Sequence, residues 1–174
     1  MTTAAQPTVA RPRRVDVPEA IRSREDLAGS DYASAFALAV RADSPAPTPE
    51  QWARAAFEGA PAPLLRLLPL AWRLGLGLRL GPRPSPGHVL GWSLTGSDTR
   101  TATLTARSGL LTAHNVVALR DNEVVRVTLV RFERRAARPL WAVAAPIHHL
   151  TVPYLLARAA RASAAQSSTS PASA

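Results

Sequence analysis

Apolar positions along this chain follow two periods, and the change between them falls in the proline-rich segment GPRPSPG at 81–87. C-terminal to that segment the period is two, as expected of strands that bury one face. His88, Leu90, Trp92 and Leu94 alternate with Val89, Gly91 and Ser93, predicting one strand over 88–94. Ala102, Leu104 and Ala106 alternate with Thr101, Thr103, Thr105 and Arg107, predicting a half-buried strand with a polar outer face. Leu110 to Leu119 is β-rich. Within Glu123–Glu133, Val125, Val127 and Leu129 stand opposite Val124, Arg126, Thr128 and Val130. Turn signals at Gly96-Ser97-Asp98, Ser108-Gly109 and Asp121-Asn122 separate these runs and predict an antiparallel meander. An earlier strand is predicted from Tyr32, Ser34, Phe36, Leu38 and Val40, which alternate with small residues.

The remaining apolar residues follow a helical period. Thr48-Pro49-Glu50-Gln51 is a helix start: Thr48 can cap, Pro49 suits the first helical position and Gln51 completes a capping box. Gly59 and Pro61 end that helix, and a second is predicted from Ala62 or Pro63 to Leu74. Pro18 to Arg22 reads as a short helical turn, and Asp43–Pro49 as a loop with three prolines. The last element begins near Arg138-Pro139 and runs to about Ala160. Val143, Ile147, Leu150, Tyr154 and Ala157 mark one apolar face of it; Trp141, Ala145, His148, Val152 and Leu155 mark the next. So wide an apolar surface predicts deep burial or contact with another apolar body. Pro146 and Pro153 should kink or divide the helix, and seven residues apart they share a face.

These elements make an α+β domain over residues 25–161, with tails at 1–24 and 162–174 expected to be disordered. Leu64–Leu80 is the most apolar stretch, but Arg66, Arg73 and Arg79 lie within it. Each would cost about 2.5–3.5 kcal/mol at a bilayer centre, so a transmembrane segment is not expected. A helix lying against the sheet fits better, with weak membrane-surface contact as the lesser reading.

Composition adds exclusions more than assignments. All 21 basic residues are arginine and the net charge is +9. They are scattered, aromatics are only 5%, and Ala, Pro and Gly are abundant beside Arg. That speaks for G+C-rich coding and against a nucleic-acid surface, which concentrates charge and adds stacking rings. The absence of cysteine removes disulfides, thiol catalysis and cysteine-held zinc or iron–sulfur centres. Met1–Ala10 shows no secretory pattern, so a cytoplasmic location is the default expectation.

The order strand, two helices, meander, long C-terminal helix resembles the helix-grip arrangement of the SRPBCC superfamily, whose members include START-like and birch-pollen-allergen-like proteins and polyketide cyclases. Local wording is similar to a bacterial domain-of-unknown-function family, number 2867. The resembling segments are Pro49–Arg54, Leu80–Pro86, Val89–Trp92, Arg138–Trp141, Pro146–His148 and Val152–Leu156, spread over about Tyr32 to Ala160. The family brings no established activity. The superfamily resemblance implies a curved antiparallel sheet gripping the C-terminal helix, often around a cavity for an apolar ligand.

No phosphate-binding glycine loop or nucleophile elbow is present. His148 and His149 are adjacent, so their side chains diverge by about 100°, and a shared metal is not expected; nor is a cofactor. Ligand-binding candidates are Trp92, His114, Leu129, Arg131, Trp141, Ile147, His148 and Tyr154. Five of them have a plainer reading: Trp92 and Trp141 as core, His114 as a polar residue on the outer sheet face, Arg131 as a partner of Glu133, and His148 as a core-edge residue beside an exposed His149. Function then divides three ways. A non-catalytic domain binding an apolar or aromatic small molecule comes first. The alternatives are a cyclase- or dehydratase-like enzyme using His114, His148 or Tyr154, and a peripheral membrane or protein-interaction module using Leu64–Leu80.

Overall fold

The structure, a computed structural model, describes residues 11–40 and 47–169. The rest of the expected tails, and 43–46 of the expected loop, lie outside the described residues. The fold is α+β: seven antiparallel strands in one sheet, short helices before the meander, and a long C-terminal helix in helix-grip arrangement. Strands β1 (Arg13–Val15), β2 (Tyr32–Ala39), β3 (His88–Val89), β4 (Trp92–Ser97), β5 (Thr101–Arg107), β6 (Leu111–Arg120) and β7 (Glu123–Phe132) stand in the order β1-β2-β7-β6-β5-β4-β3. The helices are α1 (Glu19–Arg22), α2 (Pro49–Phe57), α3 (Ala62–Gly75) and α4 (Ala137–Thr169).

Helix α2 starts as its sequence dictates. Thr48 accepts a hydrogen bond from the Gln51 N–H, and Gln51 Oε1 accepts one from the Thr48 N–H. The two bonds satisfy two backbone donors that the helix cannot. Trp52, Ala53, Ala56 and Phe57 are buried beneath α2, over β5 and β6. Helix α4 packs on β2 and α2 through Trp141, Val152, Leu155, Leu156 and Ala159. Arg158 Nε donates to Gly59 O at 2.9 Å and ties α4 to the α2–α3 corner.

Four expectations change. The run 88–94 is not one strand: Leu90 (φ 47°) and Gly91 (φ 90°) form a tight turn, and Val89 pairs with Trp92. Both central residues have positive φ, the backbone a two-residue hairpin turn requires. Residues 11–24, expected as tail, supply β1 and α1. Helix α4 is one helix through both Pro146 and Pro153 and continues to Thr169, past its expected end. Finally, the sheet is covered on both faces. Val17, Ile21 and Leu27 pack on Ala35, Ala37, Val116, Val125, Val127 and Leu129, the face turned away from α4. Thr103 and Thr105, expected at a solvated face, are buried there, and so is Thr112.

Helix α3 lies at the surface. Leu65 and Trp72 pack against the core and Pro69 is buried, while Leu67, Leu70 and Leu74 are 57%, 52% and 79% exposed. On α4, Val143, Ile147 and Leu150 are exposed too, so of its two apolar faces only the one bearing Trp141, Val152 and Leu155 is buried. By length and composition α4 would also qualify as a membrane span.

Candidate functional site

Strand alternation sends Val124, Arg126, Thr128 and Val130 of β7 toward α2 and α4. Cross-strand pairing places Ser34 of β2 and Asn115 of β6 on either side of Thr128, and Phe36 and Val117 on either side of Arg126. A polar row, Ser34–Thr128–Asn115, therefore crosses the middle of an otherwise apolar face, with Arg126 beside it. Asn115 Oδ1 accepts from Arg126 Nη2 at 3.2 Å and from Thr128 Oγ1 at 3.1 Å. The guanidinium lies 4.2 Å from the centre of the Phe57 ring on α2, in cation–π geometry.

Arg126 is 3% exposed and forms no ion pair among the described residues. Burial lowers its guanidinium to about 10, so it stays a cation at neutral pH. Among the described residues, its Nε and Nη1 have no hydrogen-bond partner, and neither do the buried indole nitrogens of Trp92 and Trp141. Unpaired groups of this kind are rare in folded proteins because each costs about 1–3 kcal/mol.

Two aromatic groups lie in the same core as this row. Phe57, Trp72 and Trp92 meet with ring centres 5.4–6.2 Å apart. Tyr32, Trp141, His148 and His149 form the other, with Tyr32 edge-on to Trp141 at 5.0 Å. His149 is not the exposed residue expected: its Nε2 lies 2.5 Å from the Tyr32 hydroxyl. His148 Nε2 lies 3.5 Å from Ser34 Oγ. Burial pushes the His148 imidazole down to about 3, and Arg126 and His149 add to the shift. It is therefore neutral across the physiological range.

The sequence-derived candidates fall on three surfaces. Trp92 and Trp141 are packed in the core between sheet and helices, and His148 lies near enough to Arg126 to feel its charge. His114, Leu129 and Arg131 are together, but on the sheet face covered by the N-terminal segment. There His114 Nδ1 is 3.0 Å from Thr105 Oγ1, and Arg131 pairs with Glu133 at 2.9 Å, its plainer reading. Burial lowers the His114 imidazole; Asp26 opposes that shift, and Arg107, Arg131 and Arg24 add to it. Ile147 and Tyr154 are 62% and 44% exposed on the outward side of α4. His114, His148 and Tyr154 thus do not share one space, and no acid–base set is assembled from them. Among the described residues, no three His, Asp or Glu side chains gather as a metal centre would need.

Arg126, Asn115, Thr128 and Ser34 were not among the candidates. A signal for Arg126 was present: both faces of 124–130 are largely apolar, as in a strand buried on both sides, and an arginine within such a strand has no solvated face to occupy.

A groove of about 480 Å³ lies on the other side of the sheet, between α1 and the β4–β5 turn, with Ile21, Arg24, Arg100, Thr103 and Arg120 in its walls. Arg24 is already held by Asp26 and Thr103, and Asp98 accepts bonds from the Arg100 and Thr101 N–H groups. Comparison of the chain with family models, with curated proteins and with solved structures gives no match.

Proposed function

We propose that this chain is a small non-catalytic binding domain that holds a small molecule, apolar or aromatic in its body, between the sheet and helices α2 and α4. The observation that carries the reading is Arg126: a buried cation whose Nε and Nη1 have no partner among the described residues, beside a polar row and against the Phe57 ring. Pockets for small molecules combine largely apolar walls with a few placed polar groups, and this interior has that composition. The resemblance of residues 32–160 to helix-grip proteins supports the same place for a ligand. Native mass spectrometry of protein purified from its own host tests it. The expected spectrum shows a retained small-molecule mass released on activation; a spectrum of bare polypeptide alone removes the reading.

A second reading rests on α3. Leu67, Leu70 and Leu74 point outward, flanked by exposed Arg66 and Arg73. Such a face suits shallow insertion at an anionic membrane surface. Sedimentation with anionic vesicles at low and high salt decides it: pelleting at low salt that weakens with salt supports it, and no pelleting at low salt ends it.

A further inference from the structure

We propose that the molecule held in this interior is a carboxylate with an aromatic or apolar body, and that Arg126 receives its anionic end. The inference rests on the binding-domain reading and names the ligand class for it.

Among the described residues, every buried side-chain nitrogen or oxygen without a hydrogen-bond partner is a donor: Arg126 Nε and Nη1, Trp92 Nε1 and Trp141 Nε1. Nε carries one hydrogen and Nη1 two, so Arg126 alone offers three N–H groups without an acceptor. The occupant that satisfies this imbalance brings oxygen acceptors rather than donors. A charge argument points the same way. The guanidinium is a buried cation, and none of the salt bridges among the described residues includes it. Among the described residues its guanidinium has one hydrogen-bond acceptor, Asn115 Oδ1, and one aromatic face, that of Phe57. An isolated buried charge costs several kcal/mol unless an opposite charge accompanies it.

The size of the opposite charge follows from its neighbours. His148 is neutral and lies within hydrogen-bonding distance of Ser34, so it adds no positive charge to that of Arg126. A monoanion balances it; a phosphate dianion would leave a buried negative charge. Arginine is also well matched to a carboxylate, whose two oxygens can take parallel N–H bonds. The aromatic composition of this core points to the rest of the molecule. Phe57, Trp72 and Trp92 form one group of rings and Tyr32 and Trp141 another, and such rings suit a planar aromatic or compact apolar body.

The test is calorimetric titration of the full chain at pH 7.5 with 2-naphthoate and with its neutral counterpart 2-naphthamide, in wild type and in Arg126→Gln. The wild type is expected to bind the carboxylate at least about tenfold more tightly than the amide. Arg126→Gln is expected to remove that preference. If Arg126→Gln does not fold, Arg126→Lys replaces it; a lysine keeps the charge but not the fork, so preference for the carboxylate should persist and shrink. Equal affinity of the wild type for both probes, or an unchanged preference in Arg126→Gln, overturns the carboxylate proposal and leaves the binding-domain reading standing. Failure of the wild type to bind either probe at about 1 mM overturns both.

Discussion

A guanidinium taken out of water loses several kcal/mol of hydration, and around Arg126, among the described residues, Asn115 Oδ1 and the Phe57 ring return part of it. Replacing it with an apolar side chain of similar length should therefore strengthen the empty fold. Arg126→Met is expected to raise unfolding stability by on the order of 1–4 kcal/mol, read from the urea midpoint without ligand. A lower midpoint would mean that the contacts outweigh the lost hydration. His148 gives a pH signature of the opposite kind. Its folded-state value of about 3 lies below the ordinary 6.5, so the unfolded chain binds the proton first as pH falls. Stability from this group is full above about pH 6.5 and is lost toward acid, by up to about 1.4 kcal/mol per pH unit. His114 is shifted the same way, so the comparison must be differential. His148→Asn should lose less stability between pH 6.5 and 5 than the wild type; parallel curves would show that the imidazole is not held neutral. Arg126 was visible in the sequence only as one polar position in an alternating run. Its isolation depends on Phe36, Phe57, Val117 and His148, which come from four other elements.

Elements whose signals are local were read well. Thr48, Pro49 and Gln51 announce α2, and the expected capping box is present. Thr48→Ala should cost about 1 kcal/mol, measured by urea denaturation, with no change in ligand affinity since Thr48 lies away from Arg126. An unchanged midpoint would mean that the α2 start is held by tertiary contacts alone. The β6–β7 hairpin follows Asp121-Asn122, with Asp121 at φ 30°. The β3–β4 hairpin was read as one strand for a physical reason. A two-residue turn leaves period-two alternation intact across it, and only the positive φ of Leu90 and Gly91 breaks the extended path. Helix α4 also departed from expectation. Pro146 and Pro153 each remove a backbone donor, yet the helix continues through both, with Thr151 Oγ1 donating to Ile147 O at 2.8 Å between them.

In the molecule as a whole, the N-terminal segment makes a two-sided core out of a sheet expected to be one-sided. Val17, Ile21 and Leu27 are buried against Val116, Val125, Val127 and Leu129. Each such side chain is worth about 1.5–3 kcal/mol when fully buried. A chain lacking residues 1–29 should therefore lose several kcal/mol of stability and self-associate through the uncovered face. Urea denaturation and gel filtration check this; a monomer with the full-length midpoint would show that the segment covers the sheet without stabilising it. Caps, turn residues and alternation are written into neighbouring positions, so the kinds of elements, their order and the side chains sharing a face could be read along the chain. Periodicity pairs residues on a face without saying what that face meets. The cover over the threonines, the solvent over Ile147 and Tyr154, and the missing counter-charge at Arg126 are set by residues far apart in sequence, and only folding brings those together.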